Sequence, residues 1–197
     1  MMKHTSESVR MTTNSPAGPT LWRTCRIIAN LARLEMLRLL FREPGLSVSG
    51  VSDRLRLPLS LTSEYLRALE ARSLLVARRK GRRVEYSPPS ANDRNAMTGL
   101  VSALRKALQQ EDHPIESVFR LATAFTHPRR VEVYRALQPA PHELGQLQSA
   151  TGISGGALVR HLRKLKARGF VKEQHGWYEA TRPASDMGRE LARLATA

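Results

Sequence analysis

The chain has 197 residues, enough for one large or two small domains, and sets 32 Lys and Arg against 17 Asp and Glu, a formal charge of +15. A surplus of that size asks for a polyanion, either nucleic acid or a membrane surface. No apolar run reaches the length of a spanning helix, residues 1–20 lack the apolar stretch of a signal peptide, and the single Cys25 excludes a disulfide framework or a multi-cysteine zinc site. A cytoplasmic protein without a membrane partner is therefore expected.

In chain order, residues 1–20 are rich in Ser, Thr, Asn, Gly and Pro, and their few apolar groups predict a disordered tail. From Leu21 to Phe41 the pattern turns helical, with Cys25 in its apolar part, where a buried and inert thiol is expected. Glu43-Pro44-Gly45 ends that helix. Ser47 is placed to cap a short amphipathic helix with Val48, Val51 and Leu55 on one side. Pro58 then suits the start of another, with Leu66 and Leu69 inward. The run ARRKGRRVEYSP has the form of strand, turn and strand with Gly81 at the turn, and it carries Arg78, Arg79, Lys80, Arg82 and Arg83. A helix from about Ala91 to Gln110 follows, its narrow apolar stripe in want of a partner helix. Glu111-Asp112-His113-Pro114 then marks a boundary between residues 21–112 and residues 113–197.

Beyond that boundary the order recurs. Ile115, Val118, Phe119, Ala122 and Phe125 lead to Pro128 and VEVYRAL, then to a helix HELGQLQSA, a helix from Ser154, and a hairpin around Gly176. In the Ser154 helix, Leu158, Leu162 and Leu165 form the buried stripe, Arg160, Arg163, Lys164, Lys166 and Arg168 leave the other side cationic, and Gly169 stops it. Taken alone, that face is either simply solvated or bound to an anion. Leu66 and Leu162, like Leu69 and Leu165, stand 96 positions apart, and RLEMLRLL from Arg33 lies 97 before RVEVYRAL from Arg130. Val84-Glu85-Tyr86 falls near Trp177-Tyr178-Glu179 with a smaller offset, so the second hairpin is expected to be shorter. This is the pattern of an internal duplication.

THPRRVEVYRAL and TGISGGALVRHLRKLKARGFV resemble winged helix-turn-helix repressors of the ArsR type. The match in the second repeat rests on Gly152, Ile153, Ser154, His161 and Leu162. In the first repeat it rests on Asn30, Arg33, Leu34, Leu37, Ser63 and Leu66, with Tyr65 where the family has His. The resemblance covers about Leu21 to Leu194. It implies a mainly α fold with small β-hairpin wings, here as two tandem winged helix-turn-helix domains packed as an intrachain pseudo-dimer. The packing helices would be Leu21–Phe41, Ala91–Gln110, Ile115–Phe125 and the terminal SDMGRELARLA. It also implies a transcriptional regulator, a repressor by analogy, whose partner is double-stranded DNA. A self-contained monomer and a homodimer are the two assemblies to separate.

Direct readout falls to Ser60, Ser63, Glu64 and Arg67 in one half and to Ser154, Arg160, Arg163 and Lys164 in the other, with His161 where the family has a DNA-facing histidine. Glu64 reads either as a base contact or as one member of a surface ion pair. Departures from the family are Leu59 at the first helix's exposed start and Gly155, Gly156 and Val159 along the second. Glycine has nothing to read with, so unequal half-sites are expected. Arg78, Arg79, Lys80, Arg82 and Arg83 of the first wing, and Lys172, His175 and Trp177 of the second, are the phosphate candidates.

No cofactor is expected. His113, His127, His142, His161 and His175 are scattered over different elements, and no metal site is predicted from them. There is no nucleophile–base motif or phosphate-cradling glycine loop, so an enzyme is not expected. Nothing identifies a small-molecule effector. The competing classes are a protein-interaction scaffold, disfavoured by the charge, and an RNA-binding use of the fold, for which 5% aromatic residues offer no stacking platform.

Overall fold

The computed structural model describes residues 20–90, 93, 97–110 and 115–197. The expected tail, the Glu111–Pro114 boundary and His113 lie outside the described residues, apart from Thr20. The architecture is mainly helical with two small antiparallel sheets.

The first helical pattern is two helices, α1 (Leu21–Ile28) and α2 (Leu31–Arg42), rather than one. Asn30 breaks the run. Its backbone is extended (φ −151°, ψ 122°) and its side-chain Oδ1 accepts from Arg33 N at 3.0 Å, capping α2. The apolar periodicity passes through the break unchanged, which is why the pattern reads as continuous. Cys25 is fully buried, and burial pushes its thiol well above the usual range, so it stays protonated at neutral pH.

A short strand β1 (Leu46–Ser47) precedes α3 (Val48–Leu55) and α4 (Leu59–Glu70). The hairpin β2 (Val76–Lys80) and β3 (Arg83–Ser87) follows. Ser47 Oγ accepts from Gly50 N, as expected of an N-cap. Strand β1 pairs with β3, so the sheet has three strands in the order β1-β3-β2. Of the helix expected from Ala91 to Gln110, α5 (Thr98–Gln109) is described with Met97 as its N-cap residue, and residues 91, 92 and 94–96 lie outside the described residues.

In the rest of the chain, α6 (Ile115–Ala122) runs into a 3₁₀ turn (Thr123–Phe125). Helix α7 (Pro128–Ala136), strand β4 (His142–Glu143), α8 (Leu144–Thr151) and α9 (Gly155–Lys166) come next, then β5 (Val171–Gln174), β6 (Trp177–Ala180) and α10 (Asp186–Thr196). The expected helix from His142 loses its first two residues to β4, which pairs with β6 in a second sheet, β4-β6-β5. Helices α3 and α8 each span eight residues. Each ends on a left-handed residue, Arg56 (φ 51°) and Gly152 (φ 63°), which turns the chain within three residues into α4 and α9. Those two helices are twelve residues each.

One contiguous core joins all of this. Phe125, Tyr134 and Phe170 meet edge to face, with centroids 4.8–6.0 Å apart, and lock the 3₁₀ turn, α7 and the end of α9 together. At the positions 97 or 96 residues earlier, Ile28, Leu37 and Leu74 are aliphatic and fully buried. Helix α1 packs on α6 and on the 3₁₀ turn, α5 on α2 and α10, and α10 on α7. The four apolar-striped segments thus cover one another. Lys106 of α5 pairs with Asp186 at the start of α10. Among the described residues no helix is long and apolar enough to cross a membrane.

Candidate nucleic-acid interface

Helix α9 rests on α7 and α8 through Leu158, Leu162 and Leu165, all buried, which turns Gly156, Val159, Arg160 and Arg163 to solvent. Ser154 is its exposed N-cap residue. Lys164 is half-buried, and desolvation, then Arg168 and Arg130, pull its ammonium below the ordinary range. Lys166 is tied to Glu173 of β5 at 2.8 Å.

His161 lies half-buried at the edge of that face. Its ring lies against that of His127, the residue whose Nδ1 caps α7, with centroids 5.0 Å apart and the planes tilted by 36°. The histidines are therefore less scattered than their sequence positions suggest. Burial is the main cause holding both below the ordinary value, helped for His161 by His127 and for both by Arg130. The pair sits among cations, and among the described residues no group of three or more His, Cys, Asp or Glu is placed to hold a metal.

Helix α4 is supported in the same way by buried Thr62, Leu66 and Leu69. Ser60, Glu64 and Arg67 are exposed, and Ser63 is half-buried. Glu64 forms no ion pair among the described residues, so the surface-pair alternative finds no partner there. Ser60, Ser63, Ser47, Ser49 and Arg83 line one shallow depression of about 690 Å³ between the starts of α3 and α4 and strand β3. The structure thus brings Ser60 and Ser63 together with Arg83 of the wing. Ser49 belongs to this group and was missed, because a helix-start serine looks like a cap until the wing is folded beside it.

The five cations of the first wing are not equivalent. Arg78 is paired with Asp93 at 3.4 Å and Lys80 with Glu85 at 3.8 Å, whereas Arg79, Arg82 and Arg83 have no carboxylate partner among the described residues. Arg79 instead donates to the Gly81 carbonyl. In the second wing Lys172 is paired with Glu179 at 2.9 Å, while His175 is exposed at the turn, with φ 51° ahead of Gly176.

The registers explain the difference in reach. Tyr86 faces Leu46 and Tyr178 faces His142, so these tyrosines correspond, one position away from the expected match of Tyr86 with Glu179. Arg78 opposite Glu85 then corresponds to Gln174 opposite Trp177. The first wing extends past that rung by Arg79-Lys80-Gly81-Arg82-Arg83-Val84, the second by His175-Gly176 alone.

The large exposed apolar side chains gather on the same elements. Among the described residues they are Leu59 on α4, Val159 on α9, Val84 on β3, Trp177 on β6 and, elsewhere, Leu31. Apolar groups beside unpaired cations suit the methyl groups and sugars of a nucleic acid groove better than they suit bulk water.

A family model described as a helix-turn-helix domain matches residues 125–174, about a quarter of the chain, from the end of the 3₁₀ turn through β5. That segment is similar to helix-turn-helix domains, a type found in DNA-binding regulators. Among curated proteins nothing matches the chain.

Proposed function

We propose, from the likeness of residues 125–174 to a helix-turn-helix domain, that the chain is a DNA-binding transcriptional regulator and that residues 21–112 are a second winged-helix unit. In this reading the two units form an intrachain pseudo-dimer that sets α4 and α9 into adjacent major grooves of one duplex. The observation that carries it is positional. Both α4 and α9 follow an eight-residue helix through a three-residue turn, both are twelve residues long, and both lie beside a wing and present an exposed face. Two half-sites need two reading helices at fixed separation, and one chain supplies both. The packing of α1 on α6 and of α5 on α10 supports the pairing, since these helices hold like positions in the element order.

The roles divide unequally. Ser60, Ser63, Glu64 and Arg67 read base edges from α4. Arg160, Arg163 and Lys164 bind mainly phosphate from α9, whose leading Gly155 and Gly156 carry no reading group. Arg79, Arg82 and Arg83 hold the backbone beside α4, with Arg78 and Lys80 reduced by their own carboxylates. Ser154 and His175 offer the second unit's further polar contacts, and Lys172 is spent on Glu179. Repression by occupying an operator is the mode that the ArsR-type resemblance supports, in the cytoplasm and with an effector of unassigned chemistry.

The test is an electrophoretic salt series on duplex DNA. Arg82→Ala with Arg83→Ala should weaken binding to every sequence and lower the salt slope by roughly one per lost phosphate contact. Ser60→Ala with Arg67→Ala should instead reduce discrimination between sequences. An unchanged slope in the first variant removes the wing from the interface.

A further inference from the structure

On the first unit, away from α4's exposed start and the wing, Trp22, Arg23, Arg26, Ile27, Arg33 and Arg72 line a surface pocket of about 390 Å³. Four guanidinium groups converge there, and none has a carboxylate partner among the described residues. Arg23 and Arg26 lie over the Trp22 ring, 5.1 and 5.9 Å from its centroid, and Arg33 lies over Tyr65 at 4.5 Å, so three of the four are held in place by aromatic faces. Arg33 donates from Nη1 to the Ile27 carbonyl at 3.4 Å, while its buried Nε has no partner.

The corresponding place in the second unit shows what is missing. Arg130, 97 positions after Arg33, donates to the Ala124 and Thr123 carbonyls and to Thr126 Oγ1. Arg168, 96 positions after Arg72, donates to Thr123 Oγ1 at 3.0 Å. Those two hydroxyls have as counterparts Arg26, at the place of Thr123, and Ala29, at the place of Thr126. The first unit has thus exchanged two acceptors for a cation and a methyl group. Apart from the Ile27 carbonyl that Arg33 reaches, the side chains of these arginines have no oxygen acceptor among the described residues; an anion from outside would balance them, and their forked donors match a tetrahedral oxyanion.

We propose that this pocket is a phosphate-binding site. The phosphate comes either from the nucleic acid backbone or from a small phosphorylated ligand, and the chemistry of recognition is the same.

The chain has two tryptophans, so Trp177→Phe leaves Trp22 as the only indole, in the pocket itself. Inorganic phosphate titrated into that protein should change Trp22 emission saturably, beyond an ionic-strength-matched potassium chloride control. Adding Arg26→Thr, which installs the second unit's residue, or Arg23→Ala should raise the midpoint about tenfold per lost charged contact. Both arginines are exposed, so the fold does not depend on them. A response no larger than that of the chloride control, or one that Arg26→Thr leaves unmoved, overturns the proposal.

Duplex DNA separates the two sources. If the backbone supplies the phosphate, saturating DNA abolishes the response and Arg26→Thr lowers the DNA salt slope by about one. If a small ligand supplies it, the response persists on DNA and Arg26→Thr leaves DNA affinity unchanged. A protein that titrates with phosphate but binds no duplex keeps this site and loses the DNA reading.

Discussion

Gly169 and Ser73 sit at matching points after α9 and α4, both left-handed, with φ of 76° and 56°. Each lets the next amide turn back: Phe170 N bonds Leu165 O, and Leu74 N bonds Leu69 O. At Gly169 an added Cβ would meet nothing within 4 Å, so a side chain there costs backbone energy alone. Gly169→Ala should therefore lower stability by about 1 kcal/mol in denaturant unfolding, without altering the contacts around Phe170. The histidine pair makes the second residue-scale prediction. With both pKa values lowered by folding, the unfolded chain binds more protons below the ordinary histidine range of about 6.5. Stability should fall as the pH drops through that range, and His161→Gln should lose less than the wild type between pH 7.5 and 5. Equal losses would show that the pair does not couple to folding. The capping role of Ser47 and the burial of Cys25 were legible in residue type and pattern. The contact of His127 with His161 was not, because the two stand 34 positions apart with a sheet strand and a helix between them.

At the scale of elements, hydrophobic period located α3, α4, α9 and α10 and both hairpins to within a few residues. It failed where a backbone choice is made without changing the period. Asn30 is the example: its cap divides α1 from α2 while the apolar positions run on. Asn30→Ala should cost about 1 kcal/mol and loosen the start of α2, visible as faster amide exchange from Leu31 to Leu34. Strands β1 and β4 escaped notice for a related reason, since two extended residues before a helix carry no alternation and acquire strand character only by pairing with β3 and β6. The wing's basic tip was plain from composition. Its division into paired and unpaired cations depended on cross-strand register and on Asp93, which lies 15 residues beyond Arg78. That division makes Arg82 and Arg83 the informative pair to remove, and Arg78 a poor choice, because its loss also releases Asp93.

For the whole molecule, the charge of +15 is far from evenly used. Part of it is answered within the chain by exposed ion pairs such as Arg54–Glu43 and Arg129–Glu132, each worth little on its own. Among the described residues, cations without a carboxylate partner include Arg160 and Arg163 on α9, Arg79, Arg82 and Arg83 on the first wing, and the four arginines of the Trp22 pocket. In the proposed function these regions are joined by one packing arrangement, the meeting of α1 with α6 and of α5 with α10, by which one chain would carry both reading helices. The most direct measurement is of stoichiometry and footprint together: hydroxyl-radical protection of a selected duplex, with the mass of the same complex from sedimentation. One chain per duplex and two protected patches about 10 bp apart are expected, with the stronger on the α4 side. A complex that needs two chains, or a single chain protecting one groove only, would contradict the proposed function.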